Sequence, residues 1–308
     1  MRNTLIILLT LSLCAMVACK KTDVDEGPRL IFRFKFDSTQ TRLNNFGNPS
    51  GELPAGHAAQ SPRFRTMSSH YIELAPDSLT LLGRGAILYR AAETNAGGEM
   101  AIDFSKSVNA AEGEDFYSVP LSKVPPGFYK WLRVSLAYQH YDINLIYRTS
   151  LYNSGTPIAL QGTVSSFIGF NTYLTTYKVA NQNVTVNGNR KQGYGAIEIT
   201  HLPPLAPAQS PLEWQARGTT VPNPIAATSP VPAGSCVVTG RFDQGLTITG
   251  NESKDVIVTV SLSTNKSFEW KDKNSDGLFE PVDGLNGNAV LDSVVDMGVR
   301  GLKPVVDN

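Results

Sequence analysis

The chain contains few cysteines, no excess of one charge and a single long apolar run. It has 3 cysteines in 308 residues, and 27 basic residues balance 27 acidic ones. A zero net charge excludes the broad basic surface that is typical of nucleic-acid-binding proteins. The charged fraction of 18% is too low, and the hydrophobic fraction of 41% too high, for a disordered chain. The composition therefore predicts a folded protein that does not bind nucleic acid.

The apolar run is N-terminal and is typical of an export signal. The basic start Met1–Asn3 precedes the apolar stretch Thr4–Met16, which is too short to span a bilayer. The stretch ends in Met-Val-Ala-Cys, which resembles the bacterial lipobox, where small residues precede a cysteine that becomes lipidated. We expect residues 1–18 to be removed as a signal peptide and Cys19 to carry the lipid. The alternative is an ordinary secretory signal that is cleaved nearby.

Residues 19–27 are short and polar, so they are interpreted as a tether between the anchor and the fold. Their Cys-Lys-Lys start, followed by acidic residues, resembles surface and outer-membrane lipoproteins of the Bacteroidota. This resemblance implies an outer-membrane location, with the periplasmic face and the cell surface both open. In the mature chain Cys236 is the one remaining thiol, which excludes an intramolecular disulfide; it is predicted to be buried as a small apolar residue.

No sustained helical periodicity is present, and the body shows the two-residue alternation of strands. Leu30, Phe32, Phe34 and Phe36 share one face, and Val256, Val258, Val260 and Leu262 repeat the pattern. We therefore predict an all-β fold, most simply an antiparallel β-sandwich of immunoglobulin-like or jelly-roll type. A run at 128–138 is also predicted as a strand with Phe128 facing inward, and Asn187-Gly188 is predicted to form a hairpin turn.

One stretch is rich in proline and divides the body. Residues 201–234 hold eight of the 19 prolines, which cannot donate to a β-ladder. They are predicted to form a long loop, with Trp214 packed onto the body. Residues 28–200 then form the sandwich, and residues 235–308 supply closing strands and a further loop. A separate small C-terminal domain is the alternative.

The C-terminal loop contains the clearest chemical motif. The segment Asp272-Lys-Asn-Ser-Asp-Gly-Leu-Phe-Glu-Pro-Val-Asp283 resembles the calcium loops of EF-hand and dockerin type. The expected oxygen ligands are Asp272, Asn274, Asp276, the carbonyl of Leu278, Glu280 and Asp283. The final Asp is shorter than the usual Glu, and the flanks do not have helical patterns. A structural Ca²⁺ that fixes the C-terminal segment is predicted, and a solvated polar turn is the alternative.

Other chemical motifs are absent or weak. The sequence has no Gly-x-Ser-x-Gly, His-Glu-x-x-His, Walker or dinucleotide motif, so no enzyme is predicted. The four histidines, at 57, 70, 140 and 201, are far apart and are interpreted as hydrogen-bonded or surface residues. The aromatic cluster within 129–147 is either a carbohydrate platform or ordinary strand packing.

One partial family resemblance bears on the fold. Val124-Pro-Pro-Gly-Phe-Tyr129, continuing to Leu132-Arg133, resembles a strand-turn motif of the MbnP-like β-sandwich proteins. The resemblance extends over about residues 30–145 and supports the sandwich prediction. Some MbnP-like proteins bind copper, but no copper ligand set can be matched onto this chain.

Three functions follow as hypotheses. The first is a lipid-anchored envelope protein with a non-enzymatic binding or structural role, a structural Ca²⁺ and an unknown ligand or protein partner. The second is a copper- or metal-handling protein of MbnP-like type. The third is a carbohydrate-binding lipoprotein of a polysaccharide uptake system.

Overall fold

The computed structural model describes residues 27–44, 46–149, 157–200, 210–216, 230–281, 283–284, 292–297, 299 and 301–307. The signal peptide, Cys19 and nearly all of the tether lie outside these residues. The strands, in chain order, are β1 (Arg29–Asp37), β2 (His57–Gln60), β3 (Arg63–Ala75), β4 (Ala86–Arg90), β5 (Glu93–Thr94), β6 (Ala101–Asp103), β7 (Asp115–Pro120), β8 (Gly127–Thr149), β9 (Ile158–Phe167), β10 (Asn171–Lys178), β11 (Asn183–Lys191), β12 (Tyr194–Thr200), β13 (Leu212–Gln215), β14 (Cys236–Ile248), β15 (Val256–Ser263), β16 (Phe268–Lys271), β17 (Asp283–Gly284), β18 (Ser293–Asp296) and β19 (Leu302–Asp307).

The all-β prediction is confirmed for the described residues. Their helical elements are two short 3-10 turns, Phe104–Lys106 and Leu121–Lys123. None of the described helices is long and apolar enough to cross a membrane. The alternating runs predicted near residues 29–36 and 256–262 are strands β1 and β15.

The strands form four sheets. The main sheet has the order β13-β12-β9-β8-β3-β4, with β14 and β17 also paired to β8. The first sheet has the order β19-β15-β1-β7, the second β11-β10-β6-β5, and the short sheet β18-β16-β2. Most pairs are antiparallel, but β1 with β15, β6 with β10, and β8 with β17 are parallel. These three parallel pairs depart from the predicted antiparallel arrangement. Long intervening chain between β1 and β15 supplies the crossover that a parallel pair requires.

The largest core lies between the first sheet and the main sheet. Phe32 and Phe34 of β1 and Val258 of β15 share one buried cluster with Leu132 and Val134 of β8. A second cluster joins the far half of β8 to the short sheet. Its members include Tyr141, Ile143, Leu145, Phe268, Trp270 and Phe279. Strand β8 therefore contributes to two cores along its length.

The strand at 128–138 is part of β8, but its inward face differs from the prediction. Phe128 is 48% exposed, whereas Tyr129 is buried. The exposed ring is instead contacted by Lys130, whose ammonium lies 5.9 Å from the ring centroid. Tyr129 and Leu132 are buried although they are three residues apart, so the two-residue alternation is broken at the start of the strand. The pairing of β8 with β14 is irregular at the same place.

The Asn187-Gly188 hairpin prediction is wrong. Both residues lie inside β11, and the turn into β11 is closed by the Val179 N–H, which donates to Gln182 O at 3.0 Å. Asn187 does adopt the predicted positive φ, at 49°. It does so within a register irregularity of the β10–β11 pair, where the bulge needs this left-handed conformation.

The proline-rich stretch is more than a loop. Its described part contains β13, which pairs with β12, so the loop prediction is wrong for residues 212–215. Trp214 packs onto the body as expected, since its Nε1–H donates to Met297 Sδ at 3.0 Å. The Leu-Glu-Trp-Gln sequence carries no proline and can therefore make a full ladder with β12.

Candidate metal centre

The predicted calcium loop begins where the short sheet ends. Strand β16 ends at Lys271, and the Asp272 N–H donates to Gly56 O at 3.0 Å. The loop then leads to β17, which pairs with Arg148 and Thr149 at the end of β8. Both ends of the loop are thus held by strands, which places residues 272–281 on one compact turn beside the second core.

The backbone makes the sharp turn that a calcium loop of this type requires. Gly277, at the sixth motif position, has φ of 74°. This left-handed conformation favours glycine, because a side chain would be strained there. Ser275 also has positive φ, at 59°. Two left-handed residues within three positions fold the loop back towards its own acidic side chains.

The carboxylates of the loop accept hydrogen bonds from the loop itself. The Gly277 N–H donates to Asp272 Oδ2 at 2.8 Å, and the Leu278 N–H donates to Asp276 Oδ1 at 2.8 Å. The Asn274 amide nitrogen donates to Asp276 Oδ2 at 3.0 Å and to Glu280 Oε2 at 3.3 Å. Four of the predicted ligand side chains, Asp272, Asn274, Asp276 and Glu280, are therefore brought together.

The structure adds a residue that the motif does not contain. Asp292 Oδ2 accepts the Glu280 N–H at 2.8 Å, and Oδ1 accepts the Lys273 N–H at 3.2 Å. In return, the Asp292 N–H donates to Glu280 O at 3.0 Å. The register of β16 with β18 pairs Lys271 with Ser293, so the next residues along, Asp272 and Asp292, meet at the end of the pair. Sequence spacing alone could not reveal this cross-strand neighbour.

The remaining two predicted ligands are Leu278 and Asp283. Leu278 is 44% exposed, and its N–H, rather than its carbonyl, makes the hydrogen bond within the loop. The backbone of Asp283 begins β17, but its side chain lies outside the described part of the chain. The carboxylate at the last motif position thus stays a prediction.

Burial concentrates negative charge at this site. Glu280 and Asp292 are each 2% exposed. Burial raises the pKa of the Asp292 carboxyl, and the nearby charges of Asp272 and Asp276 raise it further, although two backbone hydrogen bonds act in the opposite direction. Carboxylates that are buried close to one another favour either protonation of one of them or a bound cation.

A pH dependence follows from the raised pKa of Asp292. The folded state binds this proton more tightly than the unfolded chain, so stability falls as pH rises through the window that starts near the ordinary pKa of 3.8. In EDTA, Asp292→Asn is expected to flatten the decline in the free energy of unfolding from pH 4 upwards. Denaturant unfolding at several pH values measures this. Asp243→Asn, at an exposed carboxylate of β14, is the control, and an equal slope for both variants would contradict the assignment.

The donor set suits a hard cation. Ca²⁺ takes roughly six to eight oxygen ligands, and four carboxylates with one amide oxygen are near the loop. The Asn274 amide now turns its nitrogen towards the neighbouring carboxylates. Rotation by half a turn would turn its oxygen to the same side, where it could join the carboxylates as a ligand of a cation. As they stand, no three His, Cys, Asp or Glu side chains in the described residues are grouped so that they could hold a metal ion.

The three described histidines contact separate partners. His57 Nδ1 lies 2.6 Å from Glu269 Oε1, His70 Nε2 lies 2.8 Å from Glu93 Oε1, and His140 Nε2 lies 2.7 Å from Val179 O. His201 lies outside the described residues. Cys236 is buried, as predicted, and burial raises the pKa of its thiol to about 12.

The aromatic cluster at 129–147 does not form an exposed row. Tyr129, Tyr138, Tyr141 and Tyr147 are buried, and Trp131 is half-buried. The rings pack inside the molecule, as for Tyr141, whose ring centroid lies 5.0 Å from that of Phe64. A carbohydrate platform made of these residues is therefore not supported.

Comparison of the chain with protein-family models, with curated proteins and with solved structures found no match in any of the three. The resemblances to the MbnP-like proteins and to Bacteroidota lipoproteins thus stay expectations from short motifs.

Proposed function

We propose that this chain is a lipid-anchored protein of the cell envelope, attached to the outer membrane, with a non-enzymatic binding or structural role. A structural Ca²⁺ bound by the 272–283 loop is part of this proposal. The observation that carries it is the meeting of Asp272, Asn274, Asp276 and Glu280 on one turn with the buried Asp292, which immediately precedes β18. Without a cation, the carboxylates of such a cluster repel one another. A bound cation would relieve this repulsion and hold the loop against Asp292.

We further infer that the first sheet and the main sheet form a β-sandwich. The support is their shared core, in which Phe34 of β1 and Val260 of β15 join Leu136 of β8 and Val238 of β14. Side chains from two inner faces interdigitate in this way when sheets pack face to face. A sandwich of this kind suits an envelope protein that presents loops or pockets from a membrane anchor.

The anchor is tested by Cys19→Ser. Loss of the acyl chains is expected to move nearly all of the protein from the membrane and detergent fractions to the aqueous fraction, because several chains together give stable anchoring. Detergent phase partitioning of whole-cell lysates, followed by immunoblotting, measures the distribution.

Cys14→Ser provides a matched control, since it removes the other cysteine of the signal region and leaves the Val-Ala-Cys sequence intact. This control should partition like the wild type. Unchanged partitioning of Cys19→Ser would show that the cysteine is not the attachment point.

A further inference from the structure

A polar pocket lies on the main sheet, apart from the candidate metal centre. Its volume is about 420 Å³, and Arg63, Arg65 and Asp142 line it. Gln161, Asn181 and Thr200 complete the polar wall. Pockets of this size hold small molecules, and a polar lining of this kind selects polar ones.

A buried carboxylate positions the two arginines. Asp142 is 7% exposed, and its Oδ2 accepts from Arg63 Nη2 at 2.6 Å while its Oδ1 accepts from Arg65 Nε at 2.9 Å. Thr163 Oγ1 also donates to Asp142 Oδ1 at 2.8 Å. The register of β3 with β8 places Arg63 opposite Asp142, so the strands fix this arrangement. These hydrogen bonds outweigh burial and lower the pKa of Asp142, which keeps it ionised.

Two guanidinium groups line the pocket. Arg63 and Arg65 share the Asp142 carboxylate, and their side chains are 75% and 45% exposed, respectively. A guanidinium has several N–H donors in a planar fork, and each of these two uses one on Asp142. The other donors are available at the pocket.

Two further titratable groups lie beside these residues. The Glu198 carboxylate, on the adjacent β12, accepts the backbone N–H groups of Ala180, Asn181 and Gln182. His140 lies two residues from Asp142 on β8, and burial lowers its pKa, so the ring is neutral at pH 7 and bonded to Val179 O. The positive charge of the pocket is thus supplied by the two exposed arginines, and the buried carboxylates of Asp142 and Glu198 lie beneath and beside them.

We propose that this pocket binds the oxyanion of an acidic sugar unit. A carboxylate or sulfate matches the planar guanidinium fork, which binds such groups bidentately. The side-chain amides of Gln161 and Asn181 offer donors and acceptors for sugar hydroxyls, and the Thr200 hydroxyl, which donates to Gln161 O, offers an acceptor. This inference is independent of the calcium loop and of the lipid anchor.

Isothermal titration calorimetry of the full mature chain tests the proposal. Glucuronate is the acidic probe, glucose is its neutral counterpart, and sodium sulfate is the bare oxyanion. Glucuronate is expected to bind at least about tenfold more tightly than glucose, since hydrogen bonds to charged groups are among the stronger ones. Binding should weaken as ionic strength rises, because the site is partly exposed.

Arg63→Gln and Arg65→Gln are each expected to weaken glucuronate binding about tenfold. The matched control is Arg33→Gln, which removes another arginine that contacts an aspartate, Asp115, through Nε at 2.6 Å. The control should bind like the wild type, and circular dichroism verifies folding of all three variants. Equal binding of glucuronate and glucose, or equal loss in the control, would overturn the site. Sulfate binding as tightly as glucuronate would overturn its assignment to sugars.

Discussion

Glu269→Gln is expected to lower the free energy of unfolding by about 3 kcal/mol. Glu269 lies on β16, and its side chain is 3% exposed. Its carboxylate accepts from Arg42 Nη2 and contacts His57 Nδ1 at 2.6 Å. Replacing the charge with an amide leaves the Arg42 guanidinium, itself only 11% exposed, without its counter-charge. An uncompensated buried charge costs several kcal/mol, which is the reason for the large effect.

The pair at the surface provides the control. Asp115→Asn removes the partner of Arg33, where the two side chains are 47% and 35% exposed. Solvent screens this pair, so its loss is expected to cost under about 1 kcal/mol. Urea unfolding followed by tryptophan fluorescence gives both values. Costs that agree within error would show that Glu269 is solvated, against its observed burial.

A double variant tests whether the destabilisation comes from the charge left on Arg42. Arg42→Met combined with Glu269→Met removes both charges and keeps most of the side-chain volume. We expect it to be more stable than Glu269→Gln alone, because replacing both partners of a buried ion pair with apolar groups is often neutral or stabilising. The same carboxylate links β16 to the chain before β2, so the pair fixes the sheet from which the predicted calcium loop extends.

Strands with regular alternation could be predicted from the sequence. Phe32 and Phe34 repeat at two-residue spacing and lie in the core of β1, as their pattern indicates. Strand β8 could not be predicted in full, because its buried residues change from Leu132, Val134 and Leu136 to Tyr141 and Ile143 where the strand passes from one core to the other. A strand that serves two cores loses the single periodicity on which pattern recognition depends.

The candidate metal site also has a part that the sequence predicts and a part that it does not. The loop residues could be predicted, since turn-forming glycine and oxygen ligands at fixed spacing are local features. Asp292 could not, because only the β16–β18 register brings it to the loop. The pairing of Arg63 with Asp142 likewise depends on the β3–β8 register across many intervening residues. Contacts made across strands are set by pairing, which a single sequence does not specify.

Calcium is expected to raise the free energy of unfolding by about 2.7 kcal/mol when its concentration is about 100 times Kd, since a ligand that binds only the folded state adds RT ln(1 + [L]/Kd). Calcium sites of extracellular modules have Kd values of roughly 10⁻⁴–10⁻³ M, so the titration extends from micromolar to tens of millimolar CaCl₂. For a chain of this size, the expected rise in Tm is roughly 4–5 °C relative to EDTA.

The response should be lost when the loop carboxylates are removed. Asp272→Ala with Asp276→Ala is expected to give the same Tm in EDTA and in calcium, and Asp292→Asn should weaken the response because it removes a buried carboxylate beside Glu280. Asp77→Ala is the control: Asp77 also accepts backbone N–H groups in an exposed turn, from Leu79 and Thr80, but lies outside the loop. It should leave the calcium response intact. A wild-type Tm that does not change with calcium would reduce the loop to a hydrogen-bonded acidic turn, in which the Asn274 amide and the backbone N–H groups alone balance the carboxylates.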